Sequence, residues 1–273
     1  MAAAVPETQN PAKASALKLR ILSAAVLLPL AIVATWIGAW PFAALVFLAS
    51  ILMLHEWLHL PGRYDKSVLI IGSLGLAGGL LLVMLKHHNF AMGFLLLCAV
   101  AVGVYVRHRF IWHAVGLVYV GLPCLLLLWL REDSIQGRHL VFWVLCVIWA
   151  TDTGAYFAGR AIGGPKLIPR ISPNKTWAGL AGGMAAAALV GWGIARFDPD
   201  WPAGILAALG AVVAVTAQAG DFFESGVKRH FGVKDAGTLI PGHGGALDRL
   251  DGLLFAVPFV TVCYLFWQGQ LWP

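Results

Sequence analysis

The sequence predicts an all-α, polytopic integral membrane protein with about nine transmembrane helices and a cytoplasmic N-terminus. Of its 273 residues, 60% are hydrophobic and only 12% are charged, and the mean hydropathy is +0.80. A soluble domain carries about twice that charged fraction. The apolar residues also fall in long runs, and a helix needs roughly 20 of them to cross the hydrocarbon core of a bilayer. These observations exclude a soluble globular protein.

Residues 1–18 are predicted to form a polar cytoplasmic tail, and residues 19–273 a single transmembrane domain. The run after Arg20 is too long for the apolar part of a signal peptide, and no A-x-A cleavage site follows it. It is therefore the first of nine predicted spans. The third and fourth spans are glycine-rich and close together, which leaves open that one of them is re-entrant. The nine lie at residues 21–39, 42–60, 68–85, 90–106, 110–130, 140–159, 177–195, 203–220 and 253–267.

The charges between the spans predict the topology. With the N-terminus in the cytoplasm, fifteen of the 19 lysines and arginines fall on the cytoplasmic side and four on the other, as the positive-inside rule requires. This topology places the C-terminus outside and two polar loops, residues 160–176 and 221–251, in the cytoplasm. It also accounts for the net charge of +6 without nucleic-acid binding. The four cysteines lie in apolar segments without a CxxC pair and indicate neither disulfides nor zinc.

The loop at residues 221–251 has the composition of a functional site, with five acids, four cations and two histidines. Asp221 and Glu224 are three residues apart, as are Asp248 and Asp251, so each pair shares a face if its segment is helical. The P-G-H-G-G sequence at residues 241–245 can present backbone N–H groups to an anion. Carboxylates, cations and accessible backbone together predict a site for magnesium and a polyphosphate.

The other cytoplasmic loop adds a second set of candidates. Asp152 lies at the cytoplasmic end of the sixth span, where an acid is costly and is by default a functional candidate. The alternative is a structural ion pair with Arg160. Downstream, Ser172 or Asn174 is predicted to cap the helix that begins near Thr176, which leaves N–H groups for an anion. Cations that suit phosphate follow Asp152 at Lys166, Arg170 and Lys175.

Both loops resemble the phosphatidate cytidylyltransferase family, also called the CDP-diacylglycerol synthases. One match is S-x-x-K-R followed, after four residues, by K-D-x-G-x-x-I-P-G-H-G-G-x-x-D-R-x-D. It is carried by Ser225, Lys228, Arg229, Lys234, Asp235, Gly237, Pro241, His243, Gly244, Gly245, Asp248, Arg249 and Asp251. The other comprises D-T-x-A-Y, a glycine and S-P-K-K-T-x-E-G, matched by Asp152, Thr153, Ala155, Tyr156, Gly159, Ser172, Pro173, Lys175, Thr176 and Gly179. Three positions depart from the family pattern: Asn174 replaces a lysine, Ala178 a glutamate and Ala246 a larger aliphatic residue.

The resemblance implies an enzyme, a CTP:phosphatidate cytidylyltransferase. It would transfer the cytidylyl group of CTP to phosphatidic acid and release CDP-diacylglycerol and pyrophosphate, a step of phospholipid biosynthesis. The implied cofactor is Mg²⁺, and a second, monovalent cation is compatible with it. The implied partners are CTP, phosphatidic acid and membrane lipids, and the resemblance suggests a homodimer. The implied location is the inner membrane of a bacterial-type cell, with the active site facing the cytoplasm.

The roles of individual residues follow from the motifs and the resemblance together. The predicted catalytic residues are Asp221, Asp248, Lys175 and His243. The predicted metal ligands are Asp221 and Asp248, with Asp251 and Glu224 as alternative or outer ligands. The predicted substrate-binding residues are Asp152, Ser172, Asn174, Thr176, Lys228, Arg229, Lys234, Gly244, Gly245 and Arg249. Two alternatives stay open: His243 orders the glycine loop, and Arg249 pairs with Asp248 or Asp251.

Three other functions fit parts of the sequence. His55, Glu56 and His59 match H-E-x-x-H, the spacing of a zinc protease, with Asp152 or Asp221 as the third ligand. That motif lies at the end of a span, however, where histidine and glutamate reach water easily. A transporter would use the acids in the spans as an ion path. A CDP-alcohol phosphotransferase is a further lipid enzyme, but its D-G…A-R…G…D…D pattern is absent.

Overall fold

The computed structural model describes residues 11–62, 65–107, 110–133, 135–197, 201–237, 239 and 244–267. These residues form nine helices and one short hairpin, which confirms the all-α class. Eight of the described helices are long and apolar enough to cross a membrane, and the apolar part of the first, Ala25–Ile37, is shorter. The protein is therefore a polytopic membrane protein. Its helices are α1 (Pro11–Ile37), α2 (Ala39–His59), α3 (Lys66–Met84), α4 (His88–Val106), α5 (Phe110–Asp133), α6 (Ile135–Ala161), α7 (Trp177–Ala195), α8 (Ala203–His230) and α9 (Leu247–Trp267).

Each predicted span corresponds to one helix, and the largest differences are at the start of α1 and the end of α8. Helix α1 begins at Pro11, within the stretch predicted to be a polar tail. The glycine-rich α3 and α4 each have 19 residues, so neither is shortened into a re-entrant segment. Helix α8 has 28 residues and continues ten residues past its predicted end. Apolar Phe222, Phe223 and Val227 alternate there with charged residues, so the hydropathy falls while the helix continues. The Asp221–Glu224 pair thus lies on a helix.

Helix α7 packs between α6 and α8 through small residues. A Cβ atom added at Gly183 would lie 3.0 Å from the carbonyl oxygen of Thr151 in α6. One added at Gly210 of α8 would lie 2.8 Å from the carbonyl oxygen of Ala187 in α7. Small residues let helix backbones approach closely in membranes, where packing stabilises helix association. The parts of α6 and α8 that carry Asp152 and Asp221 therefore both belong to helices that pack closely against α7.

The connection from α6 to α7 is an antiparallel hairpin of β1 (Lys166–Ile168) and β2 (Ser172–Thr176). The side chain of Thr176 caps α7, since its Oγ1 accepts a hydrogen bond from the N–H of Gly179 at 3.0 Å. The predicted caps, Ser172 and Asn174, are instead strand residues. The cap prediction was wrong because the chain stays extended as far as Thr176. The hairpin brings Lys175 against α8.

The connection from α8 to α9 is much shorter than the predicted loop, because α9 begins at Leu247. Asp248 and Asp251 consequently lie in the first turns of α9. Gly244 has a φ of +85°, a left-handed conformation that favours glycine. His243, predicted to be catalytic, lies outside the described residues.

Candidate active site

Three helices and the hairpin bring together a cluster that we call the acidic group: Asp152 of α6, Asp221 of α8 and Asp251 of α9. Lys175, at the end of β2, places its Nζ 2.5 Å from Oδ2 of Asp221. The other oxygen of Asp221 accepts a hydrogen bond from Ser225 at 3.2 Å. Asp251 lies within electrostatic range of Asp221, Asp152 and Lys175. Four predicted site residues from separate parts of the sequence therefore share one site.

The acidic group is accessible, and its carboxylates outnumber the cations beside them in the part of the chain that the structure describes. The side chain of Asp221 is 34% exposed, and Asp152 is exposed as well. Lys175 and Arg249 are the cations within range of Asp152, so three carboxylates face two positive charges. Arg160, the alternative partner of Asp152, donates instead to the hydroxyl of Tyr156 at 2.9 Å. Asp152 and Asp221 are therefore carboxylates of this group with exposed surface.

A second cluster, which we call the lysine network, is more buried and consists of Glu224, Lys228 and Asp248. The Nζ of Lys228 is 2.5 Å from Oε2 of Glu224 and 2.7 Å from Oδ1 of Asp248. The exposed fractions are 12% for the lysine side chain, 1% for Glu224 and 9% for Asp248. Buried charges persist when they are paired and hydrogen-bonded. The roles predicted for Lys228 toward phosphate and for Glu224 toward a metal stay predictions, since here the two bind each other.

Asp248 organises the backbone of the α8–α9 connection. Besides Lys228, its carboxylate accepts hydrogen bonds from the N–H of Gly245 at 2.9 Å and from the N–H of Ala236 at 3.1 and 3.2 Å. An acidic side chain in the first turn of a helix can reach back to an N–H group that precedes the helix. The N–H of Gly245, predicted to bind an anion, is thus already bound to Asp248.

The remaining predicted substrate-binding residues lie around this connection and the hairpin. Arg229 donates to the carbonyl oxygens of Ile171, at 3.5 Å, and Val233, at 3.2 Å, and so joins the hairpin to the end of α8. Lys234 and Asn174 are exposed, and Ser172 is half-buried. The roles predicted for these residues stay predictions.

Two residues near the site were not predicted from the sequence as part of it. Glu56 of α2 accepts hydrogen bonds from the N–H groups of Ala246 and Leu247 at the start of α9. Tyr119 of α5 lies within electrostatic range of Asp251, Glu224 and Asp221. Its hydroxyl is buried without a hydrogen-bond partner among the described residues. The H-E-x-x-H match drew attention to Glu56 without placing it in this site, and Tyr119 lies in an apolar run that gives no signal.

The zinc-protease alternative is not supported. His55 and His59 have ring centroids 4.1 Å apart, but Glu56 between them is directed into the start of α9. Among the residues that the structure describes, no three histidine, cysteine, aspartate or glutamate side chains are grouped so as to hold a metal. Neither Asp152 nor Asp221 therefore completes a zinc site with the histidines. The four cysteines are free.

Comparison with known proteins shows the family of this chain. A family model described as "Cytidylyltransferase family" matches residues 18–267. A phosphatidate cytidylyltransferase of Brucella suis is 39% identical over 258 residues, covering 92% of this chain and 93% of the relative. Proteins of the same name from Bacillus subtilis and Staphylococcus haemolyticus are 35% and 33% identical, over 88% and 90% of this chain and 93% and 98% of the relatives. The chain belongs to the cytidylyltransferase family.

Proposed function

We propose that this protein transfers the cytidylyl group of CTP to phosphatidic acid, which yields CDP-diacylglycerol and pyrophosphate for phospholipid biosynthesis. The relatives named phosphatidate cytidylyltransferase support the reaction. The observation that carries it in this chain is the acidic group, in which three carboxylates from three helices face Lys175 at the end of membrane-spanning helices. There a lipid phosphate that enters sideways from the bilayer can meet a nucleotide from the aqueous side.

The chemistry needs positioning and charge neutralisation more than a strong base. A phosphate monoester has a second pKa of about 6 and is largely a dianion at neutral pH. One of its oxygens attacks the α-phosphorus of CTP, and the bond from that phosphorus to the oxygen of the β-phosphate breaks. The electron pair leaves with pyrophosphate. We assign Lys175 and Arg249 to hold phosphate charge while the reacting groups are aligned.

The donor chemistry of the acidic group suits Mg²⁺, although among the described residues no three such side chains are grouped closely enough to hold a metal by themselves. The donors there are carboxylate oxygens, which a hard divalent cation prefers, and Mg²⁺ uses one or two protein carboxylates together with phosphate oxygens. Asp221 and Asp251 are the predicted ligands that belong to this group, whereas Asp248 and Glu224 are bound to Lys228. When bound, the metal would neutralise charge on the polyphosphate. A second, monovalent cation would be held by the same carboxylates.

We further propose that the site faces the cytoplasm of a cell with a bacterial-type inner membrane. The excess of lysine and arginine on the side of the site supports this orientation, and CTP is a cytoplasmic metabolite. The proposed assembly is a homodimer. Native mass spectrometry of the detergent-solubilised protein tests it, and a spectrum of monomers alone at micromolar concentration would contradict it.

The reaction is tested by following pyrophosphate release from CTP by the purified protein. Phosphatidic acid and Mg²⁺ are each supplied or left out, and CDP-diacylglycerol is identified in the lipid extract. We expect release only when both are present, with one CDP-diacylglycerol formed per pyrophosphate. A folded, monodisperse preparation that releases no pyrophosphate under the complete condition would contradict the proposed function.

A further inference from the structure

Glu56 is a buried carboxylate whose hydrogen-bond partners belong to another helix. It lies near the end of α2 with 1% of its surface exposed. Its Oε1 accepts the N–H of Ala246 at 2.9 Å, and its Oε2 accepts the N–H of Leu247 at 2.7 Å. These N–H groups at the start of α9 have no partner within the helix. The negative charge also complements the positive end of the helix dipole.

The carboxylate of Glu56 occupies space that is open because two neighbouring residues are glycines without side chains. A Cβ atom added at Gly237 would lie 2.5 Å from Oε1 of Glu56, and one added at Gly245 would lie 2.5 Å from Oε2. At both glycines, the three nearest heavy atoms to the added Cβ all belong to Glu56. The chain on both sides of residues 238–244 is therefore packed against one side chain.

The contact with Glu56 is connected directly to the lysine network. The N–H of Gly245 donates to Asp248, and the next two N–H groups donate to Glu56. Three successive backbone donors are thus bound by two buried carboxylates from different helices. Any shift of the backbone at residues 245–247 moves Asp248 and Arg249, which follow in the first turn of α9.

We propose that Glu56 is a positioning residue for the nucleotidyl transfer, an inference that rests on the proposed function. It holds the start of α9 so that Asp248 meets Lys228 and Arg249 faces the acidic group. Glu56 touches neither substrate nor metal in this arrangement. It acts through the backbone that carries the residues of the site, and displacements of about 1 Å in such supports cost up to about 100-fold in rate.

The decisive variant is Glu56→Gln, which keeps the volume of the side chain but turns an amide NH₂ toward one of the two backbone N–H groups. We expect kcat for pyrophosphate release, per molecule in the monodisperse peak, to fall roughly tenfold or more. We expect KM for phosphatidic acid to stay within about twofold of wild type, because ground-state lipid binding is not altered. If the role of Glu56 were purely structural, Glu56→Gln would lower the thermal midpoint of the protein and leave kcat per folded molecule unchanged.

A double-mutant cycle tests the same contact from the other side. Gly245→Ala alone places a methyl group against the carboxylate, and we expect it to lower kcat as Glu56→Ala does. Once Glu56 is alanine that space is open, so the double variant should be no slower than Glu56→Ala alone. Gly93→Ala is the control, since an added Cβ there has no other heavy atom within 4 Å, and it should match wild type.

The outcomes separate the two proposals. Wild-type protein that releases no pyrophosphate contradicts the proposed function. If the wild type is active, a Glu56→Gln variant with wild-type kcat overturns the positioning role. Additive losses of log kcat in the Glu56→Ala and Gly245→Ala cycle would overturn it as well.

Discussion

At the scale of single residues, the four acids predicted together as metal ligands divide into two environments. Asp221 and Asp251 belong to the acidic group, beside Asp152 and Lys175. Glu224 and Asp248 are buried on either side of Lys228. Spacing along the chain predicts that Asp221 shares a helix face with Glu224, and Asp248 with Asp251. It cannot show which of these acids meets a cation from another element. That depends on how α8 and α9 cross.

Asp221 is the accessible acid of the predicted set, so its charge should matter most for metal binding. We expect Asp221→Asn, which preserves shape but removes the negative charge, to lower pyrophosphate release roughly 100-fold. The activity that remains should require a higher Mg²⁺ concentration. The measurement is a Mg²⁺ titration of pyrophosphate release at saturating CTP and phosphatidic acid.

The matched control is Asp65→Asn. Asp65 caps α3 by accepting the N–H of Ser67 at 2.8 Å, and asparagine caps helices as well as aspartate does. This variant should keep wild-type activity and wild-type Mg²⁺ dependence. An Asp221→Asn enzyme with an unchanged Mg²⁺ requirement would argue against a metal at the acidic group.

Lys228 is predicted to contribute to stability as well as to activity. Lys228→Met leaves the carboxylates of Glu224 and Asp248 buried without their cation, and breaking a buried ion pair in this way costs about 3–5 kcal/mol. The loss is measured as a lower thermal midpoint in detergent. Lys234→Met, at an exposed position on the same connection, should stay within about 0.5 kcal/mol of wild type. Equal midpoints for the two variants would contradict the buried network.

At the scale of elements, the site depends on how closely α7 approaches its neighbours. Glycines in α7 and α8 face backbone carbonyl oxygens of adjacent helices at distances that leave no room for a side chain. This close packing holds the end of α6 that carries Asp152 near the part of α8 that carries Asp221. The hairpin before α7 then needs only a few residues to place Lys175 against Asp221.

This packing predicts that Gly183→Leu separates α6 from α7. A side chain there would meet the backbone of Thr151, and overpacking of this kind costs about 1–3 kcal/mol. We expect a lower thermal midpoint and lower activity, because Asp152 moves away from the acidic group. Gly193→Leu is the control on the same helix, since an added Cβ there has no other heavy atom within 4 Å. Equal effects at the two positions would rule out the packing explanation.

At the scale of the whole molecule, the fold gathers the charged side chains of the site from several helices. The acidic group, the lysine network and Glu56 come from α2, α6, α8, α9 and the hairpin, and they lie where the described helices end or begin. Two clusters of ionisable groups are tolerated there because each carboxylate has a cation or backbone N–H groups nearby. We therefore expect the site to be reachable from only one side of the membrane.

The side of the membrane that the site faces is tested by labelling single cysteines in intact cells, in a variant in which the four natural cysteines are replaced by alanine. Lys86→Cys and Lys234→Cys introduce thiols at exposed positions predicted on opposite sides of the membrane. We expect a membrane-impermeant maleimide to label the first in intact cells and the second only after the cells are opened. The reverse pattern would contradict a cytoplasmic site.

Part of the site could be predicted because its residues stand in recognisable motifs, and part could not because it depends on contacts between distant segments. Asp152, Lys175, Asp221 and Asp251 were predicted as site residues, and the structure brings them together. Glu56 lies about 190 residues before its partners, and no spacing rule relates the two segments. The cap of α7 was misplaced by a few residues because boundaries depend on local geometry that composition does not determine.

The amino-acid sequence by itself determined the membrane class, the nine helices and the motifs of the cytidylyltransferase family. Burial in a bilayer requires long apolar segments, and such segments are visible without any knowledge of contacts. Only the tertiary structure decided which carboxylates stay accessible in the acidic group, which are neutralised by Lys228 and what Glu56 binds. Those outcomes depend on electrostatics over a few ångströms between residues on different helices, and the order of residues along the chain does not contain these distances.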